Sequence, residues 1–167
     1  HCNDSVVAYH LDIHKVAKLA QQTRTPWLSL HLSFPYPRLD TLWQRLGIPF
    51  PLITRKQAFA RALGHIQELK AILDVPLLIE NQAHYRRNGH SYLVEPTFLA
   101  KLLSETGAFL LLDVGHAQVS GWMLKNPNYI FELPLCRVLE MHVHRPSFRR
   151  GYLPKVRPKP LDLSMGM

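Results

Sequence analysis

Histidine and carboxylate side chains stand at the ends of several apolar segments of this sequence. In chain order they are His31, Glu80, Asp113, His116, Glu140, His142 and His144. Imidazole nitrogens and carboxylate oxygens form the mixed ligand sets that suit iron, manganese or zinc in proteins. Glu80 directly follows the apolar segment PLLI, and a buried carboxylate is costly unless it meets a cation or hydrogen bonds. These residues predict a metal site if the fold brings them together.

Each of these residues also has a simpler explanation. A single histidine on a strand, such as His31, is more often a packed or surface residue than a metal ligand. Asp113 could cap the turn that follows it. Because side chains alternate along a strand, His142 and His144 share one face, so that both face the interior or one lies on the rim. A metal site is therefore indicated only by the recurrence of such residues at one strand end after another.

The segments that carry these residues alternate between predicted strands and predicted helices. The apolar runs predict strands at 27–34, 75–79, 108–112 and 137–143. Apolar periodicity and capping residues predict helices at 4–22, 55–73, 96–105 and 127–133, with a further short helix at 39–46. Thr54 is the expected N-cap of the second of these helices, and Gly107 has the position expected after the end of the third. This alternation predicts an α/β fold, in which a parallel sheet is covered by helices.

A doubly wound sheet and a barrel both satisfy that alternation. No glycine-rich phosphate loop follows any strand, which counts against a nucleotide-binding sheet. In a parallel barrel the carboxyl ends of the strands converge on one rim, where active sites are built. Asn81, His84 and Tyr85 belong to the loop over that rim, where substrate contact and a plain surface position are equally open. Cys136 precedes the last strand, so we expect a buried thiol at the opposite rim.

Composition and charge narrow the class of protein. The chain has 167 residues, of which 47% are hydrophobic and 19% are charged, as in an ordinary globular domain. The formal net charge is +8, and much of the excess lies in residues 145–159, which contain no acid. Nucleic-acid binding therefore stays open but is not favoured. No apolar run is long enough to span a membrane and two distant cysteines make no disulfide framework, so we expect a cytoplasmic protein.

Four segments of the sequence resemble those of a known family. SLHLSF, LLIEN, TGAFLLLDVGH and ELPLCRVLEMHVH occur in the order and spacing of the xylose-isomerase-like and endonuclease-IV-like TIM barrels. More narrowly, the sequence resembles the multinuclear non-haem iron-dependent oxidative enzymes, formerly an uncharacterised protein family. The resemblance covers most of residues 27–144. It implies a TIM-like (β/α) barrel that uses iron and dioxygen to modify cysteine residues of small ribosomally made peptides, often delivered by a partner protein.

The resemblance also implies roles for individual residues. It implies one to three iron ions, with zinc or manganese as the alternative, held by His31, Glu80, Asp113, His116 and His142. Among these, Glu80, Asp113 and His142 are the expected catalytic residues. The family usually has asparagine where this chain has His116, and an aspartate followed three residues later by histidine is also found in endonuclease-IV-like and sugar-isomerase-like relatives. We expect substrate contacts from Asn81, His84, Tyr85 and His144.

The chain differs from the family in length, because the family's barrels have eight strands. We expect a partial barrel of about five strands over residues 1–144 and a basic, proline-containing tail over residues 145–167. That tail lacks the further Asp-x-His and glutamate ligands of the relatives. Two alternatives stay open. One is a metal-dependent phosphodiesterase, endonuclease or sugar isomerase on the same fold, and the other is a non-catalytic fragment or binding module that forms oligomers through open barrel edges.

Overall fold

Four parallel strands form the sheet of this protein. The computed structural model describes residues 13–32, 53–84 and 91–144. Within them the strands are β1 Leu28–His31, β2 Leu77–Glu80, β3 Phe109–Asp113 and β4 Val138–His142. They lie in the order β1-β2-β3-β4, and each neighbouring pair is parallel. The predicted α/β class is confirmed, and four of the roughly five expected strands lie in the described part of the chain, an arrangement compatible with a partial TIM-like barrel.

Five helices connect or flank these strands in the described residues. They are α1 Ile13–Thr23, α2 Arg55–Ile72, α3 Pro96–Thr106, α4 Val114–Leu124 and α5 Tyr129–Glu132, with short 3₁₀ turns at Ser91–Val94 and Leu135–Arg137. None of the helices in these ranges is long and apolar enough to cross a membrane. The start of the predicted 4–22 helix, the predicted 39–46 helix and the predicted tail lie outside the described residues.

The ends of α2 and α3 follow the capping residues in the sequence. The Thr54 hydroxyl accepts the backbone N–H of Gln57 at 3.2 Å, and the Gln57 side-chain oxygen accepts the Thr54 N–H at 2.9 Å. This reciprocal capping box satisfies two N–H groups that lack a partner within the helix. Pro96 begins α3, and Gly107 ends it in the left-handed conformation at φ 62°. Both predicted helices are therefore confirmed within one or two residues.

The core lies between the sheet and helices α2 and α3. The side chains of Ile66 and Leu69 from α2 and of Phe98 and Leu102 from α3 are fully buried. All four residues of β2 are buried as well, since this strand lies between β1 and β3. Burying one large apolar side chain contributes about 2 kcal/mol, so this layer holds the strands in register. The strand ends, and the polar residues on them, are consequently held on a rigid support.

Three features after β3 differ from the sequence-based expectation or go beyond it. Asp113 is followed by a full helix, α4, where only a turn was expected. The pairing of β3 with β4 contains a bulge, since Leu110 pairs with Val138 but Leu111 pairs with Glu140. The prediction that Cys136 is buried is wrong, because its thiol is exposed in the 3₁₀ turn before β4.

Candidate metal centre

The carboxyl ends of the four strands bring the predicted residues together. In the sheet register His31 pairs with Glu80, and Asp113 pairs with His142. Paired residues on neighbouring strands lie about 5 Å apart, and side chains on the same face can therefore contact one another. The bulge in β4 decides which residues of that strand take part, because it shifts the pairing by one position and places His142 beside Asp113.

Glu80, Asp113 and His142 form the geometric centre of the site. Each offers one ligand atom, and these three atoms all lie within 4.8 Å of one another. The two carboxylates are buried, with 8% of Glu80 and 4% of Asp113 exposed, whereas the His142 side chain is 47% exposed. Among the residues that the structure describes, this is the group whose atoms could converge on one metal ion.

Two imidazoles contact the Glu80 carboxylate. The distance from His31 Nε2 to Glu80 Oε2 is 2.8 Å, and His116 Nδ1 lies 3.4 Å from Glu80 Oε1. Burial alone would raise the pKa of Glu80, but the hydrogen bond from His31 and the electrostatic interaction with the imidazoles of His31, His116 and His142 outweigh it. The pKa of Glu80 is therefore lower than its ordinary value, so the carboxylate is ionised and ready to bind a cation.

Asp113 joins the site to the beginning of α4. Its Oδ1 atom accepts the backbone N–H of His116 at 2.8 Å, which makes Asp113 the N-cap of this helix. The predicted capping role is thus confirmed. The other oxygen, Oδ2, lies 3.6 Å from His116 Nδ1 and forms no cap hydrogen bond. Capping therefore leaves one oxygen of Asp113 directed toward the site.

A row of three imidazoles lines this edge. The His116 ring lies between the rings of His31 and His144, with centroid distances of 6.0 Å and 5.9 Å. His144 Nδ1 lies 3.5 Å from Asp113 Oδ1, and His144 Nε2 is buried without a hydrogen-bond partner among the described residues. A Cβ atom on Gly115 would meet the His144 ring, with Cε1 only 2.6 Å away. The absence of a side chain at Gly115 is what allows this ring to lie against α4.

His142 has a second contact on its own strand. His142 Nε2 lies 3.2 Å from Glu140 Oε1. Residues two apart on a strand share a face, so Glu140, His142 and the following His144 all project to the side of the site. The opposite face of this segment is apolar and exposed, with Leu139 at 46% and Met141 at 54% exposure.

The loop after β2 is attached to β3 and α4. The Asn81 side chain accepts the Asp113 N–H at 2.7 Å and donates to the Asp113 carbonyl at 3.0 Å. The His84 N–H donates to Ser120 Oγ at 2.9 Å, and the Ser120 hydroxyl in turn donates to the carbonyl of Gln82 at 3.2 Å. Burial lowers the pKa of His84, which therefore favours its neutral form. These bonds hold the loop at the edge of the site.

The chemistry of the donor set fits a metal ion. The oxygens of two buried carboxylates lie beside imidazole nitrogens, so the cluster offers both oxygen and nitrogen ligands. Such a set of oxygens and nitrogens suits a divalent first-row metal, and iron, manganese and zinc all accept it. A divalent cation between Glu80 and Asp113 would neutralise negative charge on these two buried carboxylates.

The structure places most of the predicted site residues in one cluster. It brings together the five predicted metal ligands and the predicted substrate residue His144, in the contacts given above. Asn81 is only 2% exposed, and both polar atoms of its side chain bond the Asp113 backbone, so it is not open to a substrate here. Tyr85 lies outside the described residues. The sequence reasoning missed Gly115 and Ser120, although a glycine between Asp113 and His116 is a signal of close packing.

The sequence matches a known protein family. A sequence model described as "RiPP precursor modification enzyme MbnB/TglH/ChrH" matches residues 6–148. A UPF0276 protein of Bordetella pertussis is 36% identical over 97 residues, which are 56% of this chain and 33% of the relative. A UPF0276 protein of Caulobacter vibrioides is 26% identical over 155 residues, or 92% of this chain and 54% of the relative. The matches thus extend over about half, or less, of the length of these curated relatives.

Proposed function

The chain belongs to the family of RiPP precursor modification enzymes MbnB/TglH/ChrH, and from that membership we propose that it forms the metal-binding part of a peptide-modifying enzyme. The observation that carries this proposal is the convergence of Glu80, Asp113 and His142, whose ligand atoms lie within 4.8 Å of one another. His31 and His116 contact Glu80 and would complete the ligand set.

The proposed metal is iron, in one to three ions, and the proposed reaction is oxidative. Bound iron would supply the redox chemistry with dioxygen as the oxidant. The residues of the chain would bind and orient the reactants. Glu80, whose pKa is lowered, would hold a metal without first releasing a proton, and it lies between the imidazoles of His31 and His116. Zinc or manganese is the alternative metal for the same donors.

The proposed substrate is a small ribosomally made peptide, modified at cysteine and brought by a partner protein. Among the described residues, His144 and His84 are proposed to contact the peptide. Tyr85, which lies outside the described residues, is the third proposed contact. Exposed apolar residues on β4 would favour association of open sheet edges. We also keep a cytoplasmic location, one barrel domain over residues 1–144 and a tail over 145–167 as proposals. Nucleic acid is not a favoured partner.

A second function rests on His116. This residue stands where the resembled iron family usually has asparagine, and its Nδ1 atom lies 3.4 Å from Glu80 Oε1. An additional imidazole favours a metal that activates water, as in a phosphodiesterase, an endonuclease or a sugar isomerase. A non-catalytic binding module is the third alternative, and it would need no metal at all.

Metal analysis distinguishes these proposals. The chain is purified without oxygen, and its iron, zinc and manganese are measured by elemental analysis beside Glu80→Ala and His142→Ala. Glu105→Gln, which removes an exposed carboxylate of α3, is the matched control. The iron proposal predicts iron in the wild type and control and its loss in both site variants. Stoichiometric zinc or manganese would support the second function, and well-folded protein without metal would contradict both enzymatic proposals.

A further inference from the structure

Asn81 extends the pairing of β2 with β3 beyond the last residue of β2. Its backbone N–H bonds the carbonyl of Leu111 at 3.4 Å, and its side chain then bonds both polar groups of the Asp113 backbone. The amide oxygen accepts the Asp113 N–H at 2.7 Å, and the amide nitrogen donates to the Asp113 carbonyl at 3.0 Å. The side chain therefore takes the place of the backbone that would have continued the ladder.

The backbone carbonyl group of Asn81 contacts a second proposed ligand, His116. His116 Nδ1 lies 3.0 Å from the Asn81 carbonyl oxygen. A carbonyl oxygen can only accept, so Nδ1 must carry the hydrogen of this bond. In neutral His116 the lone pair is then on Nε2, so this nitrogen, and not the Nδ1 that lies near Glu80 and Asp113, would bind a metal. Metal-binding histidines commonly have this arrangement, in which a hydrogen bond at one ring nitrogen fixes the tautomer and the orientation of the ring.

We propose that Asn81 is a positioning residue: its side chain holds Asp113, and its backbone carbonyl holds His116, in the geometry required for metal binding. This inference rests on the proposed function, since it assumes that these residues bind a metal. Asn81 directly follows Glu80 in the chain, so one short segment connects three proposed ligands. The amide is suited to this role because it presents an acceptor and a donor side by side, which match the N–H and the carbonyl of one residue. Its burial, with 2% exposed, keeps water from competing for these bonds.

The test compares Asn81→Ala with Ser120→Ala. The Asn81→Ala substitution removes the side-chain bonds to the Asp113 backbone and keeps the backbone carbonyl that contacts His116. Ser120 is also buried and also bonds the loop after β2, but its hydrogen bonds are with Gln82, His84 and Tyr129 and not with a proposed ligand. The affinity for Zn²⁺ is measured by competition with a chromophoric chelator, and the geometry of the site is measured from the visible absorption bands of bound Co²⁺. The stability of each metal-free variant is measured by urea unfolding. Asn81→Ser serves as the second variant if Asn81→Ala does not fold, since a serine hydroxyl is too short to reach both groups of Asp113.

Loss of the orienting bonds around a metal ligand typically lowers affinity 10- to 100-fold. We expect Asn81→Ala or Asn81→Ser to bind Zn²⁺ at least about tenfold more weakly than the wild type and to change the Co²⁺ bands, whereas Ser120→Ala stays within about threefold with unchanged bands. If the Asn81 variant keeps wild-type affinity and bands, or if Ser120→Ala changes both equally, the positioning role is wrong while the proposed function stands. If the wild type binds neither ion, the proposed function fails and the positioning role fails with it.

Discussion

Asp113 combines a capping role with a proposed ligand role, and two substitutions separate them. Asp113→Asn keeps a side-chain oxygen that can accept the His116 N–H, because asparagine caps helices as well as aspartate does. It removes the negative charge that a metal would require. Asp113→Ala removes both the cap and the charge. The difference in free energy of unfolding between the two variants therefore measures the contribution of the cap. A loss of metal binding that both variants share, relative to the wild type, measures the contribution of the carboxylate.

The expected magnitudes follow from the geometry of the two carboxylates. Loss of an N-cap costs about 1 kcal/mol, so metal-free Asp113→Ala should be about 1 kcal/mol less stable than Asp113→Asn. The Glu80 and Asp113 carboxylates, whose ligand atoms lie within 4.8 Å of each other, would repel one another, and the imidazoles of His31 and His116 that contact Glu80 offset part of that repulsion. The amide relieves this repulsion, while its weaker hydrogen bond to the His116 N–H offsets part of the gain. Because these effects oppose each other, the free energy of unfolding of metal-free Asp113→Asn should lie within about 1 kcal/mol of the wild-type value.

Urea unfolding with and without metal measures these differences. In the presence of a chelator, we expect the free energy of unfolding of Asp113→Asn to be close to the wild-type value and that of Asp113→Ala to be lower than that of Asp113→Asn. With Zn²⁺ at 100 times its dissociation constant, the wild type should gain about 2.7 kcal/mol. A tenfold loss of affinity would remove about 1.4 kcal/mol of that gain from both variants. Glu105→Gln is the control for loss of an exposed carboxylate and should resemble the wild type in both conditions.

Two results would refute this reasoning. Equal destabilisation of the metal-free Asn and Ala variants would show that Asp113 does not act as a cap through its side-chain oxygen. An undiminished gain in stability with Zn²⁺ in both variants would show that the carboxylate of Asp113 does not bind the metal.

Two further predictions concern Gly115, which packs against His144 at the site, and Tyr129, which is buried in the core. Gly115→Ala should move the His144 ring away from Asp113, and this movement should change the His144 signal in NMR spectra. The free energy of unfolding should change by at most about 1 kcal/mol, because only one side chain must move. An unchanged His144 signal would contradict this packing. Burial raises the pKa of Tyr129 to about 12, so the unfolded chain loses this proton first and stability should fall as pH rises from about 10 to 12, by about 1.4 kcal/mol per pH unit. Tyr129→Phe should show a shallower fall in urea titrations, and parallel curves would refute the assignment.

Local sequence signals were sufficient for much of the fold. The capping box at Thr54 and the left-handed Gly107 mark helix ends because they satisfy backbone groups within a few residues. Continuous apolar segments likewise predicted β2 and β3, which are buried along nearly their whole length. These features need only short-range information, and the sequence contains it.

Helix α4 could not be predicted in the same way. Four of its residues are buried, at Gly115, Ala117, Val119 and Ser120, and they do not form a single apolar stripe. A helix buried on several sides lacks the periodicity by which an amphipathic helix is predicted. Its two glycines, Gly115 and Gly121, also have a low helix propensity. The prediction that Asp113 is followed by a turn therefore identified the cap correctly but missed the helix behind it.

The candidate site was predicted as a set of residues but not as a set of contacts. The positions of His31 and Glu80 at strand ends are visible in the sequence, whereas the bulge that pairs His142 with Asp113 depends on contacts between distant segments. The bonds of Asn81 to Asp113 have the same origin, since they require the register of β2 against β3. For this reason Asn81 was predicted to contact substrate, and the structure instead gives both of its amide atoms to the backbone.

Anomalous X-ray scattering locates a metal most directly. A crystal of the chain, loaded without oxygen with iron or zinc, is measured above and below the absorption edge of that metal. The account predicts a peak in the anomalous difference map between the side chains of Glu80, Asp113 and His142. Metal peaks only at other places on the chain, or no peak in a crystal that diffracts well and was grown at saturating metal, would contradict the central claim that these strand ends form a metal centre.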